Sequence, residues 1–171
     1  MKSVVAVAAT VMVLSLVAAP AASAWIFENS CASYNGWTLF QRGTATCSTT
    51  EGGNFALALD GGSATATDGT GNRAIALDGA ATATDGSGNR SVSIRGGANL
   101  TGGDDNRVVA IDGSASVTDG DDNTAFAIRG SANLSDGGNN NTVVAIDGGA
   151  SVFDGGNNNT VVAIDGSASV F

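Results

Sequence analysis

The stretch NRVVAIDGSASVTDGDD, residues 106–122, decides the fold, because it recurs with small changes along most of the chain. Each copy begins at an asparagine, and successive asparagines are 17 or 18 residues apart. These residues are Asn54, Asn72, Asn89, Asn106, Asn123, Asn141 and Asn159. Seven units therefore fill residues 54–171, the last one incomplete. A fixed period of this kind is typical of solenoids and other repeat architectures.

Inside each unit, side chains alternate with period two, as a β-strand requires. Glycine turns, mostly Asp-Gly, separate two short strands. We assign two columns from each strand to the inside of the fold. The first strand supplies Leu57, Ile75, Val92, Val109, Phe126, Val144 and Val162, and then Leu59, Leu77, Ile94, Ile111, Ile128, Ile146 and Ile164. The second supplies Ala64, Ala81, Ala98, Ala115, Ala132, Ala150 and Ala168, and then Ala66, Ala83, Leu100, Val117, Leu134, Val152 and Val170.

This assignment turns the small apolar residues of the first strand outward. They are Ala56, Ala74, Ser91, Val108, Ala125, Val143 and Val161, with alanine or serine two residues later. Contiguous apolar patches often mark interfaces, so we expect a homo-oligomer formed through this face, and a partly solvated face is the alternative. The interface candidates are Val108, Ala125, Val143, Val161, Phe153 and Phe171.

Two architectures fit two short strands per unit. Asp-Gly between alternating runs is typical of a hairpin, which favours an antiparallel meander. A parallel solenoid instead stacks each residue on its counterpart at ~4.8 Å. The charges ending the first strand favour stacking, since it places Arg95 between Asp78 and Asp112, and Arg129 between Asp112 and Asp147. We therefore predict an all-β, parallel β-solenoid (β-roll or β-helix) of about seven 17–18-residue coils, with the asparagine amides bonding along the stack.

The ends of a solenoid need covers. Residues 25–53 hold five of the nine aromatic residues and both cysteines, and we predict that they form an N-terminal cap. Cys31 and Cys47 are expected to form a disulfide, because paired cysteines are usual in oxidising compartments. At the other end the repeat stops at Phe171, and we expect an uncapped apolar edge that invites pairing with another chain.

Residues 1–24 resemble a signal peptide. Lys2 precedes an apolar run, and Ala22, Ser23 and Ala24 form a small-residue cleavage site, so we expect secretion with cleavage after Ala24. A retained membrane anchor is the alternative, and no other segment is predicted to span a membrane. The remaining chain keeps six arginines against sixteen aspartates and glutamates, a formal charge of −10. We expect no nucleic-acid partner, because so acidic a surface repels phosphates.

The repeats resemble the head repeats of trimeric autotransporter adhesins. The matching stretches are residues 109–113 with Ala115 and residues 144–148 with Ala150. The resemblance implies a left-handed parallel β-roll that trimerises. The period of 17–18 residues is longer than that of the adhesin heads, and we expect neither a stalk nor a membrane barrel. The leader, the alanine and glycine content and the size also resemble those of small secreted bacterial proteins.

The residue types argue against catalysis. The chain has no histidine, which excludes Ser-His triads and Cys-His pairs. The acidic turns supply oxygen donors that suit calcium, and the candidate ligands are Asp104, Asp105, Asp121, Asp122 and Asp154. We expect a secreted, non-enzymatic, adhesin-like structural or interaction protein without a cofactor. A calcium-binding module is the alternative, and a second alternative is an ice-binding solenoid with outward threonines such as Thr65, Thr67, Thr82 and Thr84.

Overall fold

A computed structural model describes residues 28–95, 97–112, 114–135, 141–153 and 158–170. The predicted leader lies outside these ranges. The described residues form seventeen strands. The strands are β1 (Ser30–Tyr34), β2 (Trp37–Arg42), β3 (Thr46–Thr49), β4 (Phe55–Leu59), β5 (Ser63–Thr67), β6 (Arg73–Leu77), β7 (Ala80–Thr84), β8 (Arg90–Ser93), β9 (Ala98–Asn99), β10 (Arg107–Ala110), β11 (Ala115–Ser116), β12 (Thr124–Ala127), β13 (Ala132–Asn133), β14 (Thr142–Ala145), β15 (Ala150–Val152), β16 (Thr160–Ala163) and β17 (Ala168–Val170).

The strands form two sheets that share no strand. Sheet A has the order β16-β14-β12-β10-β8-β6-β4-β1-β2, and sheet B has the order β17-β15-β13-β11-β9-β7-β5-β3. From β4 onward every neighbouring pair is parallel and in register, so that Ala56 lies beside Ala74 and Val143 beside Val161. Each coil gives one strand to each sheet. The predicted parallel β-solenoid is therefore confirmed.

The Asp-Gly turns explain why a meander looked plausible. Asp85 and Gly86 have φ angles of 57° and 72°, and Asp60 and Gly61 have 54° and 83°. Two successive positive φ values are what a tight hairpin turn requires. Here the turns instead carry the chain from one sheet to the other. Glycine turns were predicted at these positions, and each strand pairs with its counterpart in the next coil, as the solenoid prediction requires.

The first strand of each coil faces the opposite way from our prediction. Ala56, Ala58, Val108 and Val143 are fully buried, whereas the intervening large aliphatic residues are only partly buried. The asparagine that begins each coil is the reason. It is buried in the first six coils, and side chains two residues apart share a face of a strand. The residues two and four positions after it therefore also point inward.

This reversal corrects four interface candidates. Val108, Ala125 and Val143 are 0% exposed and Val161 is 3% exposed. They pack inside the solenoid and cannot contact a partner. The second strand follows the prediction, since its two inward columns are buried in the first six coils, as at Ala64 and Val152.

The interior falls into two packed clusters. The N-terminal cluster is built of alanine together with Cys31, and the C-terminal cluster contains Leu100, Val117, Leu134 and further valines. The first strand of coil 3, counting coils from Asn54, belongs to neither cluster and places two serines inside. Ser91 Oγ donates to the carbonyl of Ala98 at 2.6 Å, and Ser93 Oγ has no partner among the described residues.

The asparagine column joins each coil to the next by hydrogen bonds. The backbone N–H of every later asparagine donates to the Oδ1 of the preceding one, over 2.8–3.3 Å. The amide nitrogens of Asn54, Asn72, Asn89 and Asn106 donate to turn carbonyls, as Asn89 does to Asp85 and Gly103. The buried Nδ2 of Asn123 has no partner among the described residues. Buried polar groups need such partners, so this column is structural, and the predicted bonding along the stack is confirmed in an amide-to-backbone form.

The N-terminal end of sheet A is closed by antiparallel strands. Strand β1 pairs with both β2 and β4, and β2 forms the edge. The predicted disulfide is present, with the Cα atoms of Cys31 and Cys47 5.8 Å apart. Because Cys31 lies on β1 in sheet A and Cys47 on β3 in sheet B, the bond holds the two sheets together at this end.

Candidate functional site

The outer surface of sheet A is an array of large apolar residues, aliphatic except for Phe126, which we call the aliphatic face. It consists of Leu57, Leu59, Ile75, Leu77, Val92, Ile94, Val109, Ile111, Phe126, Ile128, Val144, Ile146, Val162 and Ile164. The alternation that starts at the buried asparagines forces these side chains outward. Two apolar residues in each of seven coils thus lie side by side along sheet A.

Stacking shields this face only partly from water. In the first six coils each of its residues is half-buried, because counterparts in the adjacent coils lie ~4.8 Å away on either side. Strand β16 has one neighbour in sheet A, and there Val162 and Ile164 are 54% and 57% exposed. Contiguous apolar patches of several hundred Å² often mark interaction surfaces.

Three arginines border the aliphatic face on one side. Arg73, Arg90 and Arg107 begin β6, β8 and β10, lie in register on adjacent strands, and are all exposed. We call them the arginine column. Within the described ranges, the ion pairs join Arg95 to Asp78 and Arg129 to Asp112, and none reaches this column. Like charges directly opposite each other on neighbouring strands destabilise a sheet.

The opposite border is the charged corner. It comprises Asp60, Asp78, Arg95, Asp112, Arg129, Asp147 and Asp165. Arg95 Nη1 lies 2.9 Å from Asp78 Oδ2, and Arg129 Nη1 lies 2.8 Å from Asp112 Oδ2. Each arginine pairs with the preceding coil, and neither of the two described ion pairs joins an arginine to the following aspartate. Half of the predicted ladder is therefore present, and the corner keeps an excess of carboxylates.

The outer surface of sheet B is polar, and we call it the hydroxyl face. Thr65 lies beside Thr82 and Thr67 beside Thr84 in register. Further along, its residues are Asn99, Thr101, Ser116, Thr118, Asn133, Ser135, Ser151, Phe153 and Ser169. Phe153 is 44% exposed on this side of the molecule. Phe153 therefore does not belong to the aliphatic face, and Phe171, the other aromatic interface candidate, lies outside the described residues.

The acidic turns use part of their carboxylates for bonds between coils. Asp104 Oδ1 accepts the backbone N–H of Ser87 at 2.6 Å, and Asp121 Oδ1 accepts that of Asp104 at 2.8 Å. Asp105 and Asp122 are exposed at φ angles of 57° and 59°. No group of three or more metal-binding side chains occurs among the described residues. Asp154 lies outside them, and calcium binding stays a prediction.

The arginine column was not singled out from the sequence, although a signal for it exists. Arginine follows the asparagine in three successive units, at Arg73, Arg90 and Arg107. A residue adjacent to a buried one on a strand points outward, so the three guanidinium groups had to share a face. That deduction required knowing that the asparagines are buried.

Comparisons with protein-family models, with curated proteins and with solved structures give no match to this chain. Among the described residues, no helix is long and apolar enough to cross a membrane.

Proposed function

We propose that this chain is an exported, non-enzymatic structural protein that self-associates through the aliphatic face. The observation that carries the proposal is the outward orientation of the two large aliphatic columns of sheet A. Burying apolar surface stabilises association by about 25 cal/mol per Å² before the costs of binding are subtracted. An adhesin-like role, as the repeat resemblance implies, needs an interaction surface of this kind.

Export is supported by the disulfide together with the leader-like sequence at residues 1–24. Disulfides form and persist in oxidising compartments such as the extracellular space. The bond between Cys31 and Cys47 joins the two sheets, so its formation contributes to the fold that presents the aliphatic face. A non-enzymatic role is supported by the residue chemistry, since the chain has no histidine and Asp104 and Asp121 accept backbone hydrogen bonds.

The test compares one charge placed on each outer face. Val144→Asp changes the aliphatic face in the sixth coil, and Ser151→Asp makes the matched change on the hydroxyl face of the same coil. We expect multi-angle light scattering to show a mass above monomer for the wild type and Ser151→Asp, and a monomer for Val144→Asp. A wild type that stays monomeric at every concentration contradicts the proposal, as does association that survives Val144→Asp.

One observation favours a second candidate function, ice binding by the hydroxyl face. Thr65, Thr67, Thr82 and Thr84 form a regular two-by-two array on a flat parallel sheet. The array loses threonine toward the C-terminal coils, where Ser151, Phe153 and Ser169 occupy the same columns. Thermal hysteresis of the freezing point measures this activity directly, and its absence at high protein concentration removes the candidate.

A further inference from the structure

Within the described ranges, no carboxylate forms an ion pair with the arginine column. Arg73, Arg90 and Arg107 stand on three adjacent strands ~4.8 Å apart. The chain as a whole carries a formal charge of −9. A column of three like charges costs stability in the isolated molecule. Carboxylates brought to it by a partner relieve that repulsion.

The two borders of the aliphatic face are complementary in charge. On one side, coils 2, 3 and 4 present only arginines. On the other side the charged corner presents five aspartates against two arginines, and Arg95 and Arg129 are already paired with Asp78 and Asp112. A surface with a cationic border and an acidic border suits a second copy of the same surface, if the copies meet with their borders exchanged.

We infer that two copies of this chain pack aliphatic face to aliphatic face about a two-fold axis parallel to the direction in which the coils stack. The inference rests on the proposed function and names the partner and its orientation. A two-fold interface uses the same patch on both copies. With this axis, each coil faces its own counterpart, and the borders are exchanged.

The exchange places the arginine column of one copy opposite the charged corner of the other. Arg73 comes opposite Asp78 of the second copy, and Arg107 comes opposite Asp112. Arg90 comes opposite Arg95, so coils 2 to 4 contribute two attractive contacts and one repulsive contact to each border of the dimer. Every charge contact occurs twice in such a dimer because of the symmetry.

The alternative two-fold axis runs parallel to the strands and fails on charge. It keeps the borders on the same side and reverses the order of the coils. Coil 4 is the middle of the seven, so Arg107 would face Arg107 of the second copy. Arg73 and Arg90 would face Thr142 and Thr124, which offer no charge. Electrostatics therefore selects the parallel arrangement of the two solenoids.

The area of the face is sufficient for a specific but weak dimer. Seven coils at ~4.8 Å and five strand residues at ~3.4 Å give a face of ~30 Å by ~17 Å. Two copies then bury about 1,000 Å² in total, which is the lower limit for a specific interface. We expect concentration-dependent association, with the sheets packed ~10 Å apart.

Single-cysteine cross-linking tests the orientation. Val92→Cys, Val109→Cys and Val144→Cys place one thiol in the same column at coils 3, 4 and 6, and Ser151→Cys is the control on the hydroxyl face. The described native cysteines are disulfide-bonded, so the introduced thiol is the reactive one. With a short bismaleimide, we expect cross-linked dimers of comparable yield from all three valine variants and none from Ser151→Cys.

Each other result overturns the inference in a recognisable way. Cross-linking of Val109→Cys alone, with Val92→Cys reacting only with Phe126→Cys, shows the antiparallel arrangement and leaves the proposed function intact. A wild-type mass of three copies, as in the adhesin heads, excludes the two-fold axis. A dimer that none of the valine variants cross-links places association on another surface. A monomeric wild type overturns the inference and the proposed function together.

Charge reversal gives a second, independent readout. Arg107→Glu removes an attraction that occurs twice per dimer and replaces it with repulsion, so we expect Kd to rise about tenfold. Arg42→Glu on β2 makes the same change at an exposed site outside the arginine column, and it should leave Kd within about twofold of the wild type. Equal effects of the two variants, or no effect of Arg107→Glu, contradict the inference.

Discussion

The aliphatic face and the hydroxyl face share one geometry and differ in chemistry. Both are flat, parallel and in register, and both stand on inner surfaces made of small residues such as Ala58 and Ala66. Outside, sheet A presents Ile75 and Leu77 where sheet B of the same coil presents Thr82 and Thr84. The inner residues therefore stabilise the solenoid, and the outer residues can differ in chemistry between the two faces. A water-facing role suits only one of the two faces.

The largest expected effect tests which side chains of the first strand face the interior. The comparison of the two faces depends on that assignment. Val143 is buried and its neighbour Val144 belongs to the aliphatic face. Val143→Asp places an unpaired carboxylate in the core, and we expect it to lower the free energy of unfolding by more than about 4 kcal/mol. Val144→Asp should lower it by about 1–2 kcal/mol, because Val144 is only partly buried. Urea denaturation measures both, and equal losses would mean that the faces are not as described.

A smaller effect concerns the corners that separate the two faces. Gly86 and Gly71 have similar φ angles, 72° and 70°. A Cβ on Gly86 would overlap the carbonyl oxygen of Gly103, whereas a Cβ on Gly71 would have its nearest neighbour at 4.0 Å. Both alanine variants carry the cost of a positive φ, about 1–2 kcal/mol. Gly86→Ala should lower the free energy of unfolding by about 2 kcal/mol more than Gly71→Ala does, because the coils must separate to admit the methyl group.

Thermal unfolding of the two glycine variants gives the comparison. Gly71→Ala is the matched control, since it tests the backbone strain without the close approach of the next coil. If the two variants melt at the same temperature, the close stacking at this corner does not govern the spacing that both faces share.

The smallest expected effect lies in the interior that the two faces have in common. Ser93 is 1% exposed and its hydroxyl has no partner among the described residues, whereas equivalent positions such as Ala76 and Ala110 are alanine. Ser93→Ala should raise the free energy of unfolding by about 1 kcal/mol. Ser91→Ala should lower it by a similar amount, because Ser91 donates to the carbonyl of Ala98.

Neither serine variant alters an outer face, so self-association should remain at the wild-type level in both. Chemical denaturation and light scattering on the same samples separate the two properties. A change in mass with Ser93→Ala would mean that the interior influences the aliphatic face, and the comparison between inner and outer residues would need revision.

Much of the architecture was predictable because a repeat restricts what a chain can do. The spacing of the asparagines, the period-two alternation and the charge pattern at Asp78 and Arg95 together favoured a stacked solenoid. The disulfide followed from the presence of two cysteines in a chain that was predicted to be exported. The candidate site was predicted less well. The aliphatic residues were assigned to the core, and the arginine column was overlooked.

The error has a specific physical cause. Hydrophobicity alone favours placing Leu57 and Leu59 inside in preference to Ala56 and Ala58. The neighbouring Asn54 overrides that preference, because its amide and carbonyl satisfy the turn and the next coil only from inside the stack. One buried polar column fixes which set of residues points inward, and the larger aliphatic residues are left outside.

The sequence by itself determined the repeat, the number and length of the coils, the pairing of like positions and the disulfide, because these follow from periodicity and composition. Only the tertiary structure decided which side of each first strand faces water. Alternation is symmetric with respect to the two faces, and the hydrogen bonds that break this symmetry run between coils 17 or 18 residues apart. The aliphatic face, which is proposed to carry the function, lies outward because of these hydrogen bonds.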